Sequence, residues 1–254
     1  MSGLRTVAFG DLGSGTWGAA LAAAAETLVI VADSPEVARE DAPAHAHTTA
    51  RLDGSGPDED WRITGEGLEL SITAVGEPAH ATGGEPERTG FDQLCRVSGR
   101  FETADGSAHA VASLGIRGAR EGSLEARRFE ALRSVAAWFE PSDGLALAAF
   151  RGAGAAGQDR DLISAAVLDT ESSAPVEDPR LSTTYSAEGW ATRAGLELWL
   201  DGDEDQQLMR RASGEAVGAR GEAAAGTLEL RAELFRWNSH GRDGAGVYLI
   251  ASRR

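Results

Sequence analysis

Apolar and polar positions alternate with a period of two along most of the chain. Ala108, Ala110, Ala112, Leu114 and Ile116 fall on one side of such a run, and His109, Val111, Ser113, Gly115 and Arg117 on the other. That period predicts a strand with one buried face. Residues 91–101 alternate in the same way, and Ala104-Asp105-Gly106 between the two runs is a hairpin signal. Further strands are predicted over 68–74, 131–140, 145–150, 162–169, 192–200, 228–234 and 247–251. At Leu234-Phe235 the alternation slips, as it does at a bulge that re-aims Arg236 and Trp237. Residues 34–56 read as a loop with a short strand, and 76–90, 151–158 and 171–179 as loops. Helical propensity gathers only over 124–133. About fifteen short strands with little helix predict an all-β protein of two antiparallel barrel or sandwich halves, divided as 1–122 and 123–254.

One motif points elsewhere. Gly13-Ser14-Gly15-Thr16-Trp17-Gly18 has the glycine spacing of a dinucleotide-binding turn, with Asp33 ending a possible second strand. Only about ten residues separate Gly18 from Leu28, too few for a crossover helix and its return turn. A hairpin over 17–33 is the better account. NAD(P) binding through Gly13, Gly15 and Gly18 stays the remote alternative.

Composition narrows the chemistry. The 254 residues carry 24 basic and 40 acidic side chains, a net charge of −16, so phosphate backbones and anionic membranes are poor partners. Every basic residue is arginine, which excludes lysine Schiff-base chemistry. Cys95 is the sole cysteine, so no intramolecular disulfide forms. His45 and His47 lack a third ligand nearby in sequence, and the acidic run 201–205 lacks EF-hand spacing, so no metal and no cofactor are expected. Met1–Arg5 opens no signal peptide and the apolar stretch 19–25 is too short to span a bilayer. A soluble, cytoplasmic protein with no membrane insertion is the expectation; oligomeric state is not legible.

A faint internal echo links Arg96-Val97-Ser98-Gly99 to Arg211-Ala212-Ser213-Gly214, each opening a hairpin. Phe91-Asp92-Gln93 with Arg96-Val97-Ser98-Gly99 and Gly115-Ile116-Arg117 resembles the lipocalin-like AttH and carotenoid 1,2-hydratase (hydroxyneurosporene synthase) superfamily. Residues 178–185, Ala194-Gly195-Leu196-Glu197-Leu198-Trp199, Phe235-Arg236-Trp237 and 241–248 resemble its bacterial members. The resemblance implies two lipocalin-like halves with an apolar ligand site in or between them. It also implies relatives that hydrate or cyclise polyene and polyketide-derived chains. Where that family commonly has Asp-His-Ser-Trp-Gly after the arginine, this chain has Gly118, Ala119, Arg120, Glu121 and Gly122. The acid and imidazole that would shuttle protons are absent from those places.

The candidate residues follow. Glu121 can serve as a general acid with Arg117 orienting a carbonyl, or Arg117, Arg120 and Glu121 can form an ion-paired turn. Arg236, Trp237 and His240 are a second set, joined by Gln93, Trp138, Tyr185 and Trp199 as ligand contacts. Arg117 and Arg236-Trp237 are expected to share one polar edge of an apolar cavity, so that losing Arg117 weakens binding without unfolding. The function these residues suggest is binding of a polyene-, terpenoid- or polyketide-like molecule. A cofactor-independent hydratase, cyclase or isomerase and a non-catalytic carrier or sensor both remain open.

Overall fold

The computed structural model describes residues 3–23, 26–33, 44–81, 89–103, 105–121, 129–140, 142–154, 161–201 and 207–253. Among them there are only strands, nineteen in all, in two antiparallel sheets of ten and nine strands. The first sheet uses β1 (Leu4–Gly10), β2 (Thr16–Ala23), β3 (Glu26–Asp33), β4 (His45–His47), β5 (Arg51–Asp53), β6 (Trp61–Gly65), β7 (Leu68–Ala74), β8 (Ala79–Ala81), β9 (Gly90–Glu102) and β10 (Ala108–Arg120). The second uses β11 (Phe129–Glu140), β12 (Asp143–Gly152), β13 (Leu162–Asp169), β14 (Ala174–Val176), β15 (Asp178–Tyr185), β16 (Ala191–Asp201), β17 (Gln207–Ala225), β18 (Leu228–Ser239) and β19 (Arg242–Arg253). The first curls into a half-barrel and the second into a nearly closed barrel, in which β13 and β14 approach β15 and β16.

Both sheets have one topology. The first runs β4-β3-β2-β1-β10-β9-β7-β6-β5, with β8 added beside β9; the second runs β14-β13-β12-β11-β19-β18-β17-β16-β15. In each, the first strand pairs with the last. Aligning those central pairs lays Leu4-Arg5-Thr6-Val7-Ala8 on Leu132-Arg133-Ser134-Val135-Ala136. The next neighbours then lay Gln93-Leu94-Cys95-Arg96 on Glu233-Leu234-Phe235-Arg236. Gly115 and Gly246 also coincide: a Cβ on either would lie 2.3 Å from a carbonyl, of Ala8 in one half and Ala136 in the other. The chain is a structural repeat. Its echo, however, joins Arg96 to Arg236 on β18, not to Arg211 on β17.

The two sheets meet through equivalent faces, β1 against β19 and β10 against β11, as in a two-fold dimer. This makes three cores. Val7, Phe9, Trp61, Cys95 and Phe101 fill the first curl, and Val135, Leu147, Phe235, Trp237 and Tyr248 fill the second. Leu4, Ala8, Ala19, Leu94, Ile116, Ala136, Ala146 and Val247 pack between the sheets, where alanines let the backbones approach closely. Most central strands are therefore apolar on both faces, and β2 is buried throughout.

Several expectations change. The run around Arg117 is not a turn: β10 continues to Arg120, and from Gly115 on both of its faces are covered. β18 and β19 stay in unbroken register from Leu228↔Arg253 to Ser239↔Arg242, so β18 has no bulge at Leu234-Phe235. The register shift lies opposite, in β17 between Ala216 and Arg220, where Gly218 has φ 86°. Residues 129–133 are strand, while 124–128 of the expected helix and 202–205 of the acidic run lie outside the described residues. The glycine fingerprint is the β1–β2 hairpin turn: Gly15 N–H donates to Asp11 O (2.9 Å) and Ser14 N–H to the Asp11 carboxylate (2.6 Å). With β2 antiparallel to β1, no crossover helix exists to present a phosphate site.

Candidate functional site

In the first half Arg117 and Gln93 are cross-strand partners facing the interior. Arg117 has no exposed surface. Its Nε and Nη2 donate to Gln93 Oε1 (3.1 and 2.8 Å), Nη1 to the carbonyl of Glu59 (2.6 Å) and Nη2 to that of Pro57. The Trp61 ring lies 5.1 Å from its guanidinium carbon. Burial lowers the Arg117 pKa, against the pull of nearby acidic groups. The arginine ties the 57–59 loop across the curl. Beside it burial pushes the Cys95 thiol up to about 12, so the thiolate a nucleophile needs is not formed near neutral pH.

Arg120 faces the opposite way, into the inter-sheet core. It pairs with Asp92 (2.5 Å), bonds to Phe91 O (2.7 Å) and touches Ser164 Oγ of the second sheet (3.5 Å). Glu121 is exposed beyond the strand end. Both line a pocket of ≈ 590 Å³ with Arg5, Pro57, His80 and Phe91. Arg117 is held by Gln93, Pro57 and Glu59 with no exposed surface, whereas Glu121 is exposed.

A second cavity, of ≈ 600 Å³, opens between the sheets. Its lining comes in repeat-equivalent pairs: Gly10 with Trp138, Leu114 with Ala245, Ala112 with Asp243, and Ser113 with Gly244. It lies where the two halves are related by the pseudo-two-fold, and the asymmetry of each pair shapes it. Gly10 leaves space, while Trp138 reaches over and donates its indole N–H to the Gly10 carbonyl (3.1 Å). Leu12 and Phe139 complete an apolar wall; Asp11, Arg96 and Asp243 form an exposed polar rim. The buried Ser113 Oγ has no partner.

The remaining expected residues scatter over the second half. Trp237 is fully buried in its core, stacked on Phe235 with centroids 5.8 Å apart, whereas Arg236 is exposed on the other face of β18. Trp199 is half-buried on β16. His240 occupies the β18–β19 hairpin turn with φ 52°, exposed, beside Gly241 at φ 75°, the backbone of a type I′ turn. Arg117 and Trp237 thus lie in different curls and share no edge. Tyr185 alone meets a polar cluster: its hydroxyl is 3.4 Å from that of Tyr248, which is 2.9 Å from Thr183 Oγ1.

Glu233 is the functional group that strand patterning hides. It lies on β18 between Arg220 of β17 and Tyr248 of β19, in the repeat position of Gln93. Burial pushes its carboxyl up to about 7, against Arg220 and a hydrogen bond from the Ala191 backbone. A carboxyl half-protonated near neutral pH can give or take a proton. Among the described residues no group of three or more metal-ligating side chains gathers.

No protein-family model and no curated protein matches the sequence. Solved structures match along the whole chain. CghA aligns over 100% of this chain and 88% of its own at TM-score 0.61 and 9% identity, and its structure with Sch210972 gives TM-score 0.62. An AttH-like protein from Nitrosomonas europaea aligns over 100% and 94% (TM-score 0.58, 11% identity). Kievitone hydratase from Nectria haematococca aligns over 99% and 89% (TM-score 0.59, 11% identity). No helix among the described residues is long and apolar enough to cross a membrane. This doubled, lipocalin-type arrangement of two curled sheets is the fold of the AttH-like proteins.

Proposed function

We propose that the chain binds a hydrophobic small molecule, of polyene, terpenoid or polyketide-like character, in the cleft between its sheets. The observation that carries this reading is the cleft itself, a ≈ 600 Å³ space walled by Leu12, Leu114, Trp138 and Phe139 at the junction of the halves. Concave, mostly apolar sites with a few polar groups at a junction of domains or sheets are where such ligands bind. A fold shared with CghA, which has been solved with Sch210972, supports the reading.

Turnover would need an acid or base against the ligand. The titratable groups of the cleft lining are Asp11, Arg96 and Asp243, and all three are exposed. Binding without turnover, as in a carrier or sensor, is therefore favoured over a hydratase or cyclase acting in this cleft. Retinol, a neutral apolar polyene, is a suitable probe and should quench tryptophan fluorescence through Trp138. Leu114→Glu should weaken retinol binding at least about tenfold, since it sets a charge against the apolar tail. Leu114 is only half-buried, so the melting temperature should change little. Unchanged affinity in a folded Leu114→Glu protein would exclude the cleft.

A further inference from the structure

Residues 52–59 cross the first curl, and two arginines hold them there. Arg5 Nη1 donates to the carbonyls of Leu52 (2.8 Å) and Gly54 (2.7 Å), and Arg117 donates to those of Pro57 and Glu59. The crossing also ties itself. The Glu59 carboxylate accepts the backbone N–H groups of Ser55 (3.1 Å) and Gly56 (3.4 Å), and the Trp61 indole N–H donates to Gly56 O (2.9 Å). A segment bonded at so many points keeps its shape without a ligand, so whatever it frames is preformed.

Ser55 and Pro57 of this crossing line the ≈ 590 Å³ pocket that Arg120 and Glu121 also reach. Pro57, His80 and Phe91 bring three rings to its lining, and Ala81 and Ala119 two methyl groups. His80 lies on Phe91 with centroids 6.3 Å apart, and Phe91 meets Trp61 edge-on at 6.0 Å. Arg5 is half-buried and lines the same pocket. The two carbonyls take up its Nη1, which leaves Nε and Nη2, the edge of a guanidinium that binds both oxygens of a carboxylate. Among the described residues nothing accepts a hydrogen bond from that edge. Burial lowers the Arg5 pKa, and the field of Asp53 raises it. Asp53 is itself bonded to Arg51 (2.7 Å) and lines a separate groove of ≈ 490 Å³ with Glu59, which Arg5 borders too. These two carboxylates repel an anion from the groove. In the pocket the one acidic lining residue is Glu121, and it is exposed.

We propose that this pocket binds an aromatic carboxylate, its two oxygens on Arg5 Nε and Nη2 and its ring against Pro57, His80 and Phe91. The pocket shares no lining residue with the inter-sheet cleft and stands or falls independently of it. Flat rings in the lining suit a flat ligand, and a guanidinium already fixed by two carbonyls loses little further freedom on pairing. The fork selects the ionised acid over a neutral amide of equal size.

The test is calorimetry with 2-naphthoate and its neutral isostere 2-naphthamide, together with nuclear Overhauser contacts from the bound naphthyl ring. The acid should bind at least about tenfold more tightly than the amide, the factor expected when a charge-assisted hydrogen bond is lost. Its ring protons should show contacts to the His80 ring and the Ala119 methyl. Arg5→Met should lower 2-naphthoate affinity more than about tenfold. Arg5→Lys, which keeps the charge without the fork, should lower it several-fold, and neither change should alter 2-naphthamide binding. Leu114→Glu should leave 2-naphthoate binding intact, whatever it does to retinol. No 2-naphthoate binding, equal affinity for acid and amide, or Overhauser contacts outside this pocket each overturns the proposal. So does unchanged binding in folded Arg5→Met, or binding lost in Leu114→Glu. If both Arg5 variants fail to fold, the acid–amide ratio and the Overhauser contacts decide.

Discussion

Replacing Glu233 by glutamine should stabilise the fold by about 3 kcal/mol above pH 8 and leave it little changed below pH 4. Burial holds the Glu233 carboxyl at about 7, against 4.5 for the group in water. The folded state therefore favours its protonated form. Below about pH 4 the acid is protonated whether the chain is folded or not, and its ionisation costs nothing. As pH rises from about 4.5 to 7 the unfolded chain releases this proton and the folded one keeps it. Stability falls across that window and levels off above it. Glutamine keeps the shape of the protonated acid and cannot ionise. Urea unfolding at pH 4, 6 and 8 should thus show the parent losing stability relative to Glu233→Gln. Parallel pH profiles for the two proteins would mean that Arg220 keeps Glu233 ionised in the fold.

Arg117→Met should destabilise the protein by about 3 kcal/mol and lower its melting temperature by roughly 6–12 °C. The four hydrogen bonds of Arg117 satisfy Gln93 and the carbonyls of Pro57 and Glu59. Methionine fills much of the space but donates nothing, so these acceptors lose their donor; relief of a desolvated charge offsets only part of that loss. The 57–59 loop should also become a site of proteolysis. This reverses the expectation from sequence, in which the arginine meets a ligand and its loss spares the melting temperature. A variant that melts like the parent but no longer binds retinol would restore the ligand role.

The strands were legible where one face is wet. β7, β9, β10 and β16 all show their alternation, and the Asp105-Gly106 turn is where it should be, with Gly106 at φ 84°. β15 and β17 were not legible. β15 is an edge strand whose inward positions include Thr183 and Tyr185, and β17 is rich in alanine and glycine and is broken by its bulge. The repeat was within reach through Leu4–Ala8 and Leu132–Ala136, but a tetrapeptide on β17 resembled Arg96–Gly99 more closely than their true counterparts on β18 do. Of the candidate residues that the sequence offers, Trp138 lines the cleft and Tyr185 lies in the polar cluster. Glu233 was not, because Glu229, Arg231 and Glu233 read as the solvated side of an amphipathic strand. That side turns inward at Glu233, where the second sheet curls over it, and curvature leaves no local trace in sequence.

Pairing of first strand with last has a consequence for the order in which the protein can assemble. Leu4 sits opposite Arg120, and Ala131 opposite Ser252, at the centre of each sheet and not at its edge. During synthesis β1 waits for over a hundred residues before its inner neighbour leaves the ribosome. Such distant pairing carries a large loop-closure cost and slows folding. The first sheet has all its strands once Arg120 has emerged, while the second lacks its middle until β19 does. A chain stalled before Arg242 would therefore expose two unpaired strand edges, on β11 and β18, the condition under which a nascent protein most needs a chaperone.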